Sequence, residues 1–114
     1  MHEISIAQSI LDIVRDVMEK EKATFLNELT IDVGRLSGVV YDSLEFAMEL
    51  VKKDTVLEKS KIILNDIPAE ARCLDCNKEF EIDQIYQECP DCREFNITII
   101  KGKELKVRSI SVEN

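Results

Sequence analysis

The sequence is poor in the residues that carry most enzymatic and nucleic-acid chemistry. Its 114 residues include one His, no Trp, two Tyr, four Phe and three Gly. Three glycines do not build a phosphate-cradling loop, and no Ser or Cys stands beside a His that would act as its base. The few aromatic residues are scattered and offer no stacking platform for bases. This composition favours a protein that is not an enzyme.

Positive charge is also scarce. There are 15 Lys and Arg against 23 Asp and Glu, which gives a formal net charge of -8 and a pI of about 4.7. Such a chain repels phosphate backbones and anionic membrane surfaces. No apolar run approaches the ~20 residues of a membrane span, and the first residues lack the basic region of an export signal. We therefore expect a cytoplasmic protein with neither nucleic acid nor membrane as a partner.

Cysteine, in contrast, occurs in two CxxC pairs, Cys73 with Cys76 and Cys89 with Cys92. In a reducing compartment such pairs bind metal rather than form disulfides, and two of them supply the four sulfurs that zinc prefers. A dithiol redox centre is the rival, but it expects one CxxC at the start of a helix in a βαβ unit. The pattern predicts structural zinc, closed to catalysis, with a short hairpin between the two pairs.

Two segments show helical periodicity. From Ile4 to Glu19, apolar residues fill about half of the circumference and polar residues fill the rest, which predicts an amphipathic helix. Either this wide apolar face is all core, or its edge is left for a partner. A second helix is predicted to begin at Asp42 as N-cap, with Glu45 as its capping-box partner, and to end near Lys52 and Lys53.

Two strands are predicted before the cysteines. Residues 29–33 alternate apolar and polar side chains, and Gly34 ends that strand. The stretch KIILNDIP predicts a second strand that ends at Pro68. From Ala69 to about Lys101, cysteines, acids and short apolar pieces replace the long periodic segments. A separate module therefore begins at this point.

The C-terminal part of the chain predicts two more strands. Residues 96–100 are rich in β-branched side chains, and residues 104–113 follow after a turn at 101–103 that we interpret as a hairpin. In the last strand the apolar residues change face halfway. We therefore expect a bulge or a face switch near Ser109.

Several segments of the sequence together resemble a known family. The start MHEISIAQSI, the stretch VGRLSGVVYDSLEFAMELV, the two CxxC pairs and the ending GKELKVRSISVE together are similar to the HypA family of hydrogenase nickel-incorporation proteins. The similarity runs from end to end. It implies an α+β fold, a small mixed three-stranded sheet with two helices, plus an inserted zinc-ribbon module with four cysteine ligands.

The resemblance also implies two domains that bind different metals. Residues 1–68, completed by the strand at 102–114, would form a nickel-binding domain, and residues 69–101 would form a zinc-binding domain. The function implied is a nickel metallochaperone that delivers Ni(II) for maturation of [NiFe] hydrogenase. Its partners would be a HypB-type GTPase and the hydrogenase large subunit, and a weak homodimer stays open. Some relatives serve urease, and the sequence does not decide between these clients.

The residues implied as metal ligands fall into two groups. The nickel residues are Met1, His2 and Glu3. The zinc ligands are Cys73, Cys76, Cys89 and Cys92.

The N-terminal residues have the chemistry that nickel needs. The α-amine of Met1, the amide nitrogen of His2 and its imidazole Nδ1 close a five-membered and then a six-membered chelate ring on one ion. This nitrogen-rich planar set suits Ni(II). The alternative is a zinc-ribbon scaffold for protein contacts in which His2 is idle.

Overall fold

Two helices and six strands lie along residues 3–114, the part of the chain that this computed structural model describes. All the predicted helices and strands are present, with boundaries shifted by a few residues, and the cysteine-rich region contributes two further strands. The elements are α1 (Glu3–Glu21), β1 (Phe25–Gly34), α2 (Tyr41–Lys52), β2 (Lys61–Ile67), β3 (Ala69–Cys73), β4 (Glu79–Ile82), β5 (Ile97–Lys101) and β6 (Leu105–Glu113).

The first sheet has the strand order β2-β1-β6 and is mixed, as predicted. The central strand β1 runs parallel to β2, because α2 carries the chain back between them, and antiparallel to β6. The two helices cover one face of this sheet. The core between helices and sheet is aliphatic, and its fully buried members include Val14, Leu26, Leu29, Ile31, Leu44 and Leu57.

Helix α1 does not bury all of its apolar face. Its inner side supplies Ala7, Val14 and Met18 to the core, whereas Ile4 is 50% exposed and Ile13 is 46% exposed. The described residues therefore leave the edge of this apolar face uncovered, so the alternative in which all of the face is core is wrong.

Within residues 3–114, no helix combines the length and the apolarity needed to cross a bilayer.

Strand β6 contains the predicted bulge. Thr30 of β1 pairs with Ser109, but the next residue of β1 pairs with Val107, so Arg108 is the extra residue. The extra residue reverses the alternation of side chains. As a result the apolar residues on both sides of the bulge pack against the same core, namely Leu105, Val107, Ile110 and Val112.

The predicted N-cap of α2 is wrong. The helix begins at Tyr41, and the residue at the cap position is Val40, with extended backbone angles (φ -79°, ψ 120°) and no side-chain hydrogen bond to the helix end. Asp42 therefore lies inside the first turn, where its negative charge complements the helix dipole without capping it. The physical reason is that the Val40 carbonyl already accepts the first helical bond, from the N–H of Leu44.

The cysteine module, residues 69–101, has a second sheet of order β4-β3-β5. Two hairpin predictions are wrong here. The twelve residues between the CxxC pairs do not pair with each other, because their single strand β4 pairs with β3. The turn at 101–103 does not join paired strands either, because β5 pairs with β3 and β6 pairs with β1. That turn instead carries the chain from one sheet to the other.

A compact joint connects the two sheets. The N–H of Leu36 donates to the carbonyl of Gly102 (2.8 Å), and the Leu36 side chain packs into the small core of the cysteine module. Arg35, next to it, pairs with Asp66 of β2 (3.3 Å) and with Glu81 of β4 (3.5 Å). The loop after β1 therefore ties the cysteine module to the first sheet through main chain, core and charge together.

Candidate metal centre

The structure brings the four cysteine sulfurs together. The Sγ atoms of Cys73 and Cys92 are 3.5 Å apart, those of Cys76 and Cys89 are 3.6 Å apart, and all four lie within 4.8 Å of one another. These distances are far too long for disulfide bonds of about 2.05 Å. They fit a tetrahedron around a zinc ion, since Zn–S bonds of about 2.3 Å place the sulfurs roughly 3.8 Å apart. The four sulfurs can therefore hold one such metal ion.

The two CxxC pairs have the same backbone geometry. In the first pair, Cys73 receives a main-chain bond from Asn77 (2.8 Å) at its carbonyl, and Asn77 has a positive φ of 64°. In the second, Cys89 receives one from Arg93 (2.9 Å), whose φ is 66°. The left-handed residue after each pair turns the chain back, so that both sulfurs of the pair point to one centre. Asn tolerates this conformation readily, whereas Arg adopts it at a steric cost.

Main-chain N–H groups tune the sulfurs. The N–H of Cys92 donates to the Cys89 sulfur and, against the opposing effect of burial, lowers the pKa of that thiol to about 7. For Cys92, the N–H of Glu94 acts in the lowering direction, but the hydrogen bond with Cys73 and burial outweigh it and raise the pKa to about 12. Of these two thiols, Cys89 therefore loses its proton more readily. A bound cation favours deprotonation of the others.

The first CxxC pair is also held by hydrogen bonds outside the sulfurs. The N–H of Leu74, in the first pair, donates to the carbonyl of Asn96 (2.8 Å), and the Asn96 amide donates to the carboxylate of Asp75 (3.3 Å). These bonds fix the first CxxC turn against the segment that enters β5. Cys73 and Cys89 are fully buried, whereas Cys76 is exposed at the surface.

Of the three predicted nickel residues, only Glu3 lies in the part of the chain that the structure describes. Met1 and His2 lie outside the described residues, so their prediction stays a prediction. Glu3, partly buried, begins α1 and lines a cleft of about 590 Å³. The opposite wall of this cleft is formed by the start of α2, with Asp42 and Phe46. The sequence did not indicate that the two helix starts are neighbours.

The supporting residues of the metal centre were not predicted from the sequence. Asn77, Arg93 and Asn96 follow the cysteines in the chain, but nothing in the local pattern shows the backbone angles or the cross-links that they supply. Two of these residues, Asn77 and Arg93, could have been found from their position in the sequence. Each stands directly after the second Cys of a CxxC pair, where a tight turn needs a left-handed residue.

Fold and site together define a class of protein: a small α+β unit joined to a module whose four cysteine sulfurs can hold one metal ion. Comparison with known proteins then places it. The family model described as hydrogenase/urease nickel incorporation, metallochaperone, hypA matches residues 1–112. The chain belongs to the HypA family.

Individual relatives agree over their full length. The hydrogenase maturation factor HypA of Parabacteroides distasonis is 40% identical over 113 residues, which cover 99% of this chain and 98% of the relative. The protein of the same name from Chlorobaculum parvum is 36% identical and is covered completely. The solution structure of the Ni metallochaperone HypA from Helicobacter pylori shares the fold, with a TM-score of 0.67 at 23% identity over 99% of this chain and 98% of that one. The resemblance found in the sequence is thus confirmed, as is the predicted fold class.

Proposed function

We propose that this protein is a nickel carrier that binds Ni(II) at its N-terminus and delivers it for the maturation of [NiFe] hydrogenase, without catalysing a reaction. The observation that carries this proposal is the family match, which begins at residue 1 and so includes the Met-His-Glu start. The family description also names urease. We favour hydrogenase as the client, because the relatives described above are hydrogenase maturation factors.

The proposed nickel ligands are Met1, His2 and Glu3. The α-amine of Met1 and the amide and imidazole nitrogens of His2 form two fused chelate rings, and the amide of Glu3 is the next donor along the chain. Glu3, the last of the three, is the first residue of α1, so the helix begins at the proposed site. An open terminal site of this kind suits a carrier, since a metal that must be passed on needs ligands within reach of a recipient.

The proposed role of the second metal is structural. A zinc ion bound by Cys73, Cys76, Cys89 and Cys92 has four sulfur ligands and no open position for water, so it supplies no catalysis. The cysteine module needs such an ion because its own core is small. Only Ala69, Ala71 and Ile82 are fully buried hydrophobic members of that core.

The proposed partners follow from the maturation role. A HypB-type GTPase and the hydrogenase large subunit are the proteins with which a carrier of this family would exchange nickel, and the cytoplasm is where we place that exchange. The net charge of -8 supports protein partners rather than nucleic acid.

Nickel titration of the untagged, zinc-loaded chain tests the proposal. We expect one Ni(II) per chain by isothermal titration calorimetry, and loss of that binding in His2→Ala. A chain extended by two residues before Met1 should also fail to bind, because its first nitrogen is then an amide that holds its proton tightly. Glu3→Ala is the matched control, since its main-chain nitrogen is kept.

Two results would contradict this proposal. If the extended chain binds nickel as tightly as the native one, the α-amine is not a ligand. If the untagged chain with its full complement of zinc binds no nickel at all, the scaffold alternative is correct. Zinc content, measured by elemental analysis on the same samples, should not change with any of these N-terminal variants.

A further inference from the structure

An apolar groove of about 320 Å³ lies between α1 and β6. Three isoleucines of the helix, Ile6, Ile10 and Ile13, form one wall, and Leu105 and Val107 of the strand form the other. Its volume is within the range of ligand-binding clefts in proteins. No cysteine lines this groove, and it adjoins the cleft at Glu3 through the shared residue Ser5.

The strand wall of the groove is also a sheet edge. The strand order β2-β1-β6 places β6 at the end of the sheet, and no described strand pairs with its outer side. Every second residue of this nine-residue strand therefore directs its N–H and C=O groups away from β1. An edge strand beside an apolar groove presents main-chain hydrogen bonds and side-chain pockets together, the combination by which proteins add an extended peptide to a sheet.

The charge at this edge is opposite to that of the whole chain. Strand β6 has two cations, Lys106 and Arg108, and one acid, Glu113, in a protein of net charge -8. Lys106 lines the groove and is exposed. Arg108 forms an ion pair with Asp32, and its side chain stays 55% exposed. The opposite wall has the small neutral side chains of Ser5 and Ser9 at its rim. An added strand with acidic residues on the side away from the groove would lie beside these cations.

We propose that the edge of β6 binds an extended segment of a partner protein in which apolar and acidic residues alternate. The apolar side chains enter the groove between α1 and β6, and the acidic side chains lie beside Lys106 and Arg108. A second copy of this chain fits less well, since its own β6 would bring like charges to the same edge.

The test uses the full zinc-loaded chain, labelled with ¹⁵N, and a capped heptapeptide in which Glu and Val alternate. We expect saturable shifts of the amide signals of β6 and of the groove side of α1, with slower hydrogen exchange along β6. Ile13→Glu should weaken binding by roughly tenfold or more, because it places a charge in the apolar pocket. Ile4→Glu is the matched control, since Ile4 is equally exposed on the same helix but lines a different cleft.

Two further peptides make the test independent of how the variants fold. A heptapeptide with Lys in place of Glu should not bind, because it is repelled by the basic edge. A Glu-Val peptide with all of its main-chain nitrogens methylated should also not bind, because it has lost its hydrogen-bond donors.

Several outcomes overturn the proposal. These are shifts confined to other parts of the molecule, equal binding of the Lys peptide or of the methylated peptide, and no saturable shift up to roughly 1 mM peptide, the weak end of specific binding. Equal affinity of folded Ile13→Glu and Ile4→Glu would also overturn it. If dilution of the protein alone changes the β6 signals in the same way, the edge belongs to a second copy of the chain. None of these readouts depends on nickel.

Discussion

The Nε of Arg108 donates a hydrogen bond to Oδ2 of Asp32 across 2.7 Å, from the bulge of β6 to the centre of the sheet. Asp32 lies on the face of β1 away from the helices, yet it is fully buried. Asn65 of β2 donates to its other oxygen (3.0 Å). One carboxylate therefore joins all three strands. The extra residue of the bulge supplies the cation, so the irregularity in β6 has a structural role beyond restoring the apolar face.

Removing the charge of Asp32 should destabilise the sheet. We expect Asp32→Asn to lower the free energy of unfolding by about 1.5–3 kcal/mol, the range for hydrogen bonds to charged groups. Asp66→Asn is the matched control, because Asp66 also pairs with an arginine but its side chain is 50% exposed. Exposed pairs contribute little, so its loss should be clearly smaller. Urea unfolding of the zinc-loaded variants measures both, and equal losses would show that burial of Asp32 is unimportant.

The contribution of Asp32 should depend on pH in a defined direction. The hydrogen bond from Arg108, against the opposing effect of burial, holds the pKa of Asp32 below its ordinary value of 3.8. A lowered carboxylate pKa means that the stabilisation is present above 3.8 and is lost as the pH falls through the lowered value. The stability difference between native protein and Asp32→Asn should thus be constant near neutral pH and shrink below pH 3.8. Unfolding curves across this range check it, and a difference that shrinks already at neutral pH contradicts it.

Gly102→Ala should disrupt the joint between the two sheets. The Cβ of an alanine there would overlap the Cα of Ala69 and lie 2.7 Å from its Cβ, and Gly102 has a φ of +105°. Both the clash and the backbone angle disfavour the variant, so we expect a loss of about 2 kcal/mol or more. Gly38→Ala is the control, because Gly38 also has a positive φ (86°) but is exposed. Thermal unfolding that ranks the two variants equally would show that the contact with Ala69 is not tight.

Replacing Cys89 and Cys92 together by Ser should unfold the cysteine module locally. Zinc content should fall from about one per chain to none, because two ligands do not hold the metal. The amide signals of residues 69–101 should lose dispersion. The signals of α1 should not change, because this helix packs against the other sheet, β2-β1-β6. Asp91→Asn, between the same two cysteines, should keep both zinc and dispersion. A double variant with native-like signals and no zinc would refute the structural role of the metal.

Nickel affinity should fall steeply below neutral pH. Binding must displace protons from an α-amine of pKa about 7.7–8.0 and from an imidazole of about 6.5. Titrations between roughly pH 6 and 8 measure this dependence. Zinc content over the same range serves as the internal control, and an affinity that does not change with pH would exclude the terminal amine and His2 as ligands.

Much of this molecule could be predicted from local sequence. The period of apolar residues predicted α1, the alternation at residues 29–33 predicted the centre of β1, and the change of face after Val107 predicted the bulge in β6. These features depend on side chains close together in the chain, for which period and spacing carry the information. The CxxC spacing likewise predicted the four-sulfur cluster, because each pair forms its half of the site within one turn.

What the sequence alone determined, then, is the type of each main segment, the set of four sulfur ligands and the family. The tertiary structure decided which elements meet. It placed β5 and β6 in different sheets despite the short turn between them, inserted Leu36 into the core of the cysteine module, and brought Asp32 and Arg108 together from positions 76 residues apart in the chain. Such contacts depend on how whole sheets pack and twist against each other. No pattern of neighbouring residues encodes that packing, because each partner alone has several strands or loops with which it would be equally compatible.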